Sequence, residues 1–356
     1  MSNVYYRVYR CALTLALSIS LSTAAVATGS GGEPNFTKSD IRAASSHGSL
    51  RYAYAESLFL DFRHSDGDQP VAERLLVDDG SEVVLRADDA SGSLVGPRIT
   101  LGTIGSDHRG WEATYFGVFA GTRSASVSGD NDLAMIGDLA LSSYDFFKSD
   151  RIAIESQTRL HSFELSRTWF ENSWCFLMGF RYLRVQDDFR LLSFDSDTGD
   201  QGPDADDNEG IFGFGDYDVR TENDLFGLQS GLRHKRNFRI APRLSYDFGG
   251  KAGVYGNSAS HEQSVLDFGG TEAEYFLRDP FSDRSGQVAF VGEASANVRM
   301  PLTSRLEVRT GYNLLWVEGL ALASDQLVLA DVPVRGTTTS GGGLFHGASV
   351  GLVLHW

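Results

Sequence analysis

From Arg51 to Trp356 the chain repeats one pattern: segments of roughly ten or more residues with apolar side chains at every second position. Side chains of a β-strand point alternately to opposite faces, so period two marks strands with one apolar and one polar face. The last segment is the cleanest, with Ala348, Val350, Leu352, Leu354 and Trp356 set against Gly347, Ser349, Gly351, Val353 and His355. In 304–318, Leu306, Val308, Tyr312, Leu314 and Trp316 oppose Arg305, Glu307, Arg309 and Asn313. Segments 287–300, 239–255 and 173–184 repeat the alternation. Segments 51–63, 93–104, 110–123, 158–170 and 216–232 are less clean, with Glu56 on the apolar face of the first and a bulge suspected in the last. With 23 Phe, 13 Tyr, 5 Trp and 39 Gly against 8 Pro, the composition is that of a sheet protein with many tight turns.

The ten segments are joined by connections that alternate in length. The gaps at 105–109, 171–172, 233–238 and 301–303 are short, and those at 64–92, 124–157, 189–215, 257–285 and 319–342 are long. Short turns at one end and long loops at the other describe an all-β fold, a transmembrane antiparallel β-barrel of about ten strands with periplasmic turns and extracellular loops. The count becomes twelve if 257–270 pairs as well. The long loops hold 29 acids against 8 Lys and Arg, whereas 233–236, read as a turn, is RHKR. A soluble two-layer sandwich would show the same alternation with its apolar faces buried. Its strands usually run about 5–6 residues, shorter than these. In a barrel the apolar face meets lipid, where no solvent satisfies backbone N–H or C=O, so the strands must close on themselves. Trp174, Tyr182, Tyr312, Trp316 and Trp356 are placed to form the interfacial aromatic girdles.

The N-terminus agrees with export. Arg7 and Arg10 precede an apolar run at 11–21 and the small-residue site Ala25-Val26-Ala27, the order of a cleaved secretory signal over 1–27. Eleven residues rise only about 16 Å as a helix, too short to span a bilayer. Residues 28–50 read as a flexible Gly/Ser/Thr-rich leader, and 51–356 as the barrel. Of the two cysteines, Cys11 lies in the signal, so Cys175 remains as a packed inward thiol with no disulfide partner.

Alternation assigns a lumen-facing set: Arg98, Glu112, Glu164, Arg181, Arg243, Asp247, Lys251, Glu293, Arg299, Arg305, Glu307 and Arg309. Ten strands enclose a bore only slightly wider than the eight-stranded barrels that side chains fill, so these mixed charges are expected to pair across it. That predicts a narrow or closed porin-like barrel. The alternative is a non-conducting anchor that works through its acidic loops. The acidic stretch 195–210 offers a weak calcium candidate in Asp195, Asp197, Asp200, Asp204 and Asp206, without EF-hand spacing. A hydrolase at the loop rim is the remaining class, but no histidine sits in an HExxH or GxSxG setting. No catalytic residue, metal site or cofactor is assigned. A net charge of −16 disfavours nucleic acid as a partner.

Val350, Leu352, Leu354 and Trp356 also form the alternating, aromatic-ended strand that outer-membrane assembly machinery reads by strand pairing. The expected partners are therefore the outer-membrane bilayer and that machinery. The strings GWEATYFG at 110–117, LHSFELSRTW at 160–169, GFRYL at 179–183, KAGVYGN at 251–257, GYNLLWVEGLALASDQ at 311–326 and HGASVGLVLHW at 346–356 resemble the putative beta-barrel porin family 7 of outer-membrane proteins. The resemblance covers about 51–356 with the long loops unmatched. It implies a barrel, outer-membrane residence and a porin-like role, and brings no substrate and no catalytic residue.

Overall fold

The computed structural model describes residues 49–64, 69–77, 80–90, 92–120, 122–142, 146–195, 213–241, 243–267, 275–330 and 336–356. Residues 1–27, read as a signal, and nearly all of 28–50, read as a leader, lie outside them. Among the described residues all strands belong to one antiparallel sheet of thirteen. Ten of them close a ring: β1 (Ser49–His64), β4 (Ser93–Gly105), β5 (Arg109–Ala120), β7 (Phe147–Glu171), β8 (Trp174–Asp195), β9 (Gly213–Asn237), β10 (Ser245–Asp267), β11 (Tyr275–Pro301), β12 (Leu306–Leu320) and β13 (Gly341–His355). These are the ten segments that alternation picks out. β1 and β13 complete the ring, and beyond their last paired residues the Arg51 N–H donates to Trp356 O at 2.9 Å and the Trp356 N–H to Arg51 O at 3.0 Å.

The other three strands grow out of long loops. β6 (Arg123–Met135) pairs with the upper part of β7, β2 (Pro70–Leu75) with β6, and β3 (Ser81–Arg86) with β2. Residues 257–267 do pair, but as the continuation of β10 against β11, so they lengthen two wall strands instead of raising the count to twelve. β9 runs in unbroken register with both neighbours, so the bulge suspected at 216–232 is absent. Irregularities fall instead at Gln263–Leu266 on β10 and at Glu318–Leu320 on β12. RHKR at 233–236 belongs to β9, and the turn follows it at 238–244.

The wall is lopsided. Strands β7–β11 run 22 to 27 residues, the other five wall strands 12 to 16. A tilted strand crosses a bilayer core in about 9–11 residues, so the tall side rises well past it. The outward side chains show where the crossing ends. On β8 they read Trp174, Phe176, Met178, Phe180 and Tyr182, then Arg184, Gln186, Asp188 and Arg190. On β9 Phe226 and Leu228 give way to Asp224, Glu222, Arg220, Asp218 and Asp216. Arg184 pairs with Glu222, and Arg190 with Asp216, on this upper outer face.

An apolar band therefore circles the outside between the turn end and these charges. Trp111, Trp169, Phe176, Phe248 and Trp356 mark its lower edge, and Tyr115, Phe119 and Tyr312 lie higher. β1 departs from the pattern. Its richer apolar face, Tyr52, Tyr54, Leu58, Leu60 and Phe62, is buried inside, while Ala53, Ala55, Ser57 and Phe59 look outward. Glu56 shares the first face and so enters the lumen. The interior has apolar layers above and below a polar belt, and β1 supplies both.

Candidate functional site: the lumen

The floor of the lumen, nearest the turn end, is an apolar layer of Leu50, Tyr52, Tyr54, Ile104, Phe170, Cys175 and Val353. Gly102 makes room for it, since a Cβ there would lie 2.0 Å from the Tyr52 ring. Cys175 is inward and buried, as alternation predicts, with Arg233 Nη2 3.5 Å from its sulfur.

Above the floor sits a belt of six cations and six carboxylates in three linked groups. In the upper group Arg181 Nη1 is 3.1 Å from Glu293 and 3.7 Å from Glu164, and Lys251 Nζ is 2.8 Å from Glu164 and 3.3 Å from Glu293. Arg98 joins Glu293 at 3.6 Å and donates to Asn313 at 2.8 Å, while Gln229 donates to Glu164 at 2.7 Å. In the lower group Arg309 holds Glu56 at 2.6 Å and Asp247 at 3.4 Å, and Arg299 joins Asp247 to Glu307. The third group is Arg233 with Glu112 at 2.8 Å, to which the Tyr52 hydroxyl also donates. Aromatic faces carry the guanidiniums. Arg98 and Arg181 lie over Phe116 at 5.1 and 5.4 Å, and Arg299 and Arg309 over Tyr54 at 5.1 and 5.5 Å. What remains between them is a cavity of about 50 Å³, lined among others by Tyr54, Arg98, Glu112, Arg233, Lys251 and Arg309. That is room for about three waters.

A second apolar layer closes the belt from above: Leu58, Leu60, Phe62, Leu94, Phe116, Leu160, Leu183, Val185, Leu225, Val291, Leu315, Val317 and Phe345. The segment after β12 folds down onto it, with Ala321, Leu322, Ala323, Ser324, Gln326 and Leu327 buried beside Leu320 at the strand end. Wall side chains bind its backbone. Asn223 takes both the N–H and the C=O of Ala321 at 2.8 and 2.7 Å. Asp187 accepts the Ala323 N–H at 3.0 Å, the Tyr217 hydroxyl accepts the Val328 N–H at 2.9 Å, and Arg278 donates to Val328 O. Over this lies a third apolar cluster, in which Val71, Ala72, Leu85, Leu133 and Met135 of β2, β3 and β6 meet Ile152, Ile154, Phe189, Leu191 and Tyr217 of the tall wall.

Asp187 also ties down the first long loop. The imidazole of His64 stands between Asp88, 2.8 Å from Nδ1, and Asp187, 3.9 Å from Nε2. The group lies above the apolar band. Burial works against the proton on His64, but the two carboxylates outweigh it and raise its pKa from 6.5 to about 10. A histidine raised in the folded state contributes stability that is complete below pH 6.5 and lost as the pH climbs through about 10. Amide protection of residues 80–90 should therefore weaken from about pH 7 to about pH 10.5 in the wild type, beyond the loss in a His64→Gln variant. Equal loss in the two would remove His64 from the account.

Ten of the twelve residues assigned to the lumen line it. Arg243 and Arg305 do not: the strands start later than alternation suggested, and both side chains are exposed in the turns 238–244 and 302–305. Glu56, Arg233 and Tyr52 are lumen residues that sequence reasoning left out. The signal for Glu56 was present as a carboxylate on an otherwise apolar face. Val350, Leu352, Leu354 and Trp356 face outward, and β13 pairs with both β1 and β12. Of the calcium candidates only Asp195 lies within the described residues.

No curated protein matches the chain. Among solved structures it is similar to the outer membrane protease OmpT from Escherichia coli, at 10% identity over 86% of this chain and 97% of that one with a TM-score of 0.44. It is also similar to Neisserial surface protein A, at 10% identity over 85% and 96% with a TM-score of 0.28. The P. putida toluene transporter TodX follows at 10% identity over 86% and 89%, with a TM-score of 0.25. No activity, substrate or binding site passes from them to this chain. The profile of the family described as Putative beta barrel porin-7 matches residues 76–330, most of the closed wall and the segment that fills it. The chain is a member of that family, a porin-like β-barrel of the outer membrane.

Proposed function

We propose that this barrel is closed at rest and admits at most water and small ions. The observation that carries the reading is the belt: six cations and six carboxylates pair with one another between two apolar layers and leave a cavity of about 50 Å³. Mobile solutes would have to break buried ion pairs, and removing one partner of such a pair costs about 3–5 kcal/mol. The folded segment after β12 adds a second closure, because it fills the mouth and is bound through its own backbone. In planar bilayers the purified protein should give small conductance steps or none, and steps of nanosiemens size would overturn the reading.

The same geometry supports a non-enzymatic role. Hydrolysis needs a hydroxyl or water whose proton a positioned base can take. His64 is flanked by two carboxylates. His161 and His346 meet Tyr115 and Tyr312 on the outer face, at 3.1 and 2.8 Å. His261 meets the Thr337 hydroxyl at 3.0 Å, but that hydroxyl donates to Asp283, which leaves no proton for His261 to remove. The loops above the mouth are the surface through which a closed barrel would meet partners.

A further inference from the structure

The turn end carries a charged sector that neither the lumen nor the loops use. Arg239 and Arg243 are exposed in the β9–β10 turn, and Arg236 is half-exposed on the outer face of β9 just above it. Arg305 is exposed in the β11–β12 turn, and Arg51 at the start of β1. Residues 236–244 and 301–305 contain no acid. The nearest carboxylates on these strands, Asp247 and Glu307, point inward and are held by Arg299 and Arg309. None of the five guanidiniums forms an ion pair with a described residue. The other two turns differ: they carry Asp107 and Glu171 beside Arg109. In a chain of net charge −16, the β9–β10 and β11–β12 turns are thus basic with no acidic side chain of their own.

Apolar side chains interleave with these charges. Ile240 is 98% exposed at the tip of its turn, and Phe238, Leu302 and Trp356 are also exposed. They continue downward from the band-facing Phe248, Met300 and Leu354. A soluble phosphate or an acidic polymer would satisfy the guanidiniums but leave this apolar set in water. A lipid satisfies both, with phosphodiester oxygens accepting from arginine and acyl chains covering the apolar residues.

We propose that this sector, from the β9–β10 turn through the β11–β12 turn to Arg51, binds the headgroups of anionic phospholipids in the leaflet at the turn end. The test is native mass spectrometry of the full barrel released from detergent holding phosphatidylglycerol and phosphatidylcholine in equal amounts. Wild type should retain phosphatidylglycerol adducts in clear excess. Arg239→Gln, Arg243→Gln and Arg305→Gln should each reduce the excess by about five-fold, the gain of one basic side chain near an anionic surface. Their far-ultraviolet circular dichroism should match wild type, because the altered side chains lie in exposed turns. Inorganic phosphate at the same concentration should not displace the lipid. Equal retention of the two lipids by wild type, an undiminished excess in all three variants, or displacement by phosphate would each overturn the proposal.

Discussion

Arg181→Ala should cost about 3–5 kcal/mol of stability in reversible urea unfolding from lipid vesicles. The Arg181 side chain is only 1% exposed, and its Nη1 is shared between Glu164 and Glu293. Its Nε donates to the Ser162 hydroxyl at 2.9 Å, and its plane lies over Phe116. Without it, Lys251 and the more distant Arg98 must serve two buried carboxylates. The penalty is that of an uncompensated charge, not of a lost attraction, since replacing a whole buried pair by apolar groups of similar volume is often neutral or stabilising. Arg181→Met combined with Glu293→Gln should therefore recover most of what Arg181→Ala loses. If Arg181→Ala stays within about 1 kcal/mol of wild type, water already screens the belt. The lumen would then be wet and open, contrary to the reading above.

The second large effect lies higher. Asp187→Ala should free the segment after β12 and the first long loop together, while the wall stays folded. This one carboxylate accepts the Ala323 N–H at 3.0 Å and the Thr158 hydroxyl at 2.8 Å, and it faces His64 at 3.9 Å. Thr158 in turn accepts from Arg123 of β6 at 2.7 Å. Removing the carboxylate strands a buried N–H and leaves the His64 cation with Asp88 alone. A fall of about 3 kcal/mol in local opening free energy is the expected scale. It would speed hydrogen exchange of amides in 320–328 by roughly 100-fold. Exchange in the band-spanning parts of β12 and β13 should not change. Unaltered exchange at 320–328 would mean that apolar packing alone holds the segment, and that Asp187 is not its anchor.

Residue alternation in the sequence was enough to find the ten wall strands, because burial against lipid and against the lumen imposes period two on each. It located the inward side of eight strands, assigned no face to β9 and misread β1. In β1 the apolar residues serve the floor and the upper layer of the interior, and alternation alone cannot say which of two faces is wet. Strand ends were less legible. The short turns were placed a few residues early, which put Arg243 and Arg305 inside and left Arg233 in a turn. Long-range pairing was out of reach altogether: Arg309 with Glu56 and Arg98 with Asn313 join strands far apart in sequence. One clue to the folded-in segment was present. The stretch 319–342 is the least acidic of the long loops and reads GLALASDQLVLADV over 319–332, a composition that favours burial over solvent.

The zipper between β1 and β13 has a kinetic corollary. β1 is bordered by β4 on one side and by β13 on the other, so its second edge waits for the most distant stretch of chain. Until the Arg51 and Trp356 backbones meet, the nascent sheet has two long open borders. Joining its ends is the step of greatest loop entropy, and it should set the pace of assembly. A peptide matching 341–356, supplied while the sheet is still open, would compete for the β1 border and arrest the cylinder as an unclosed ribbon.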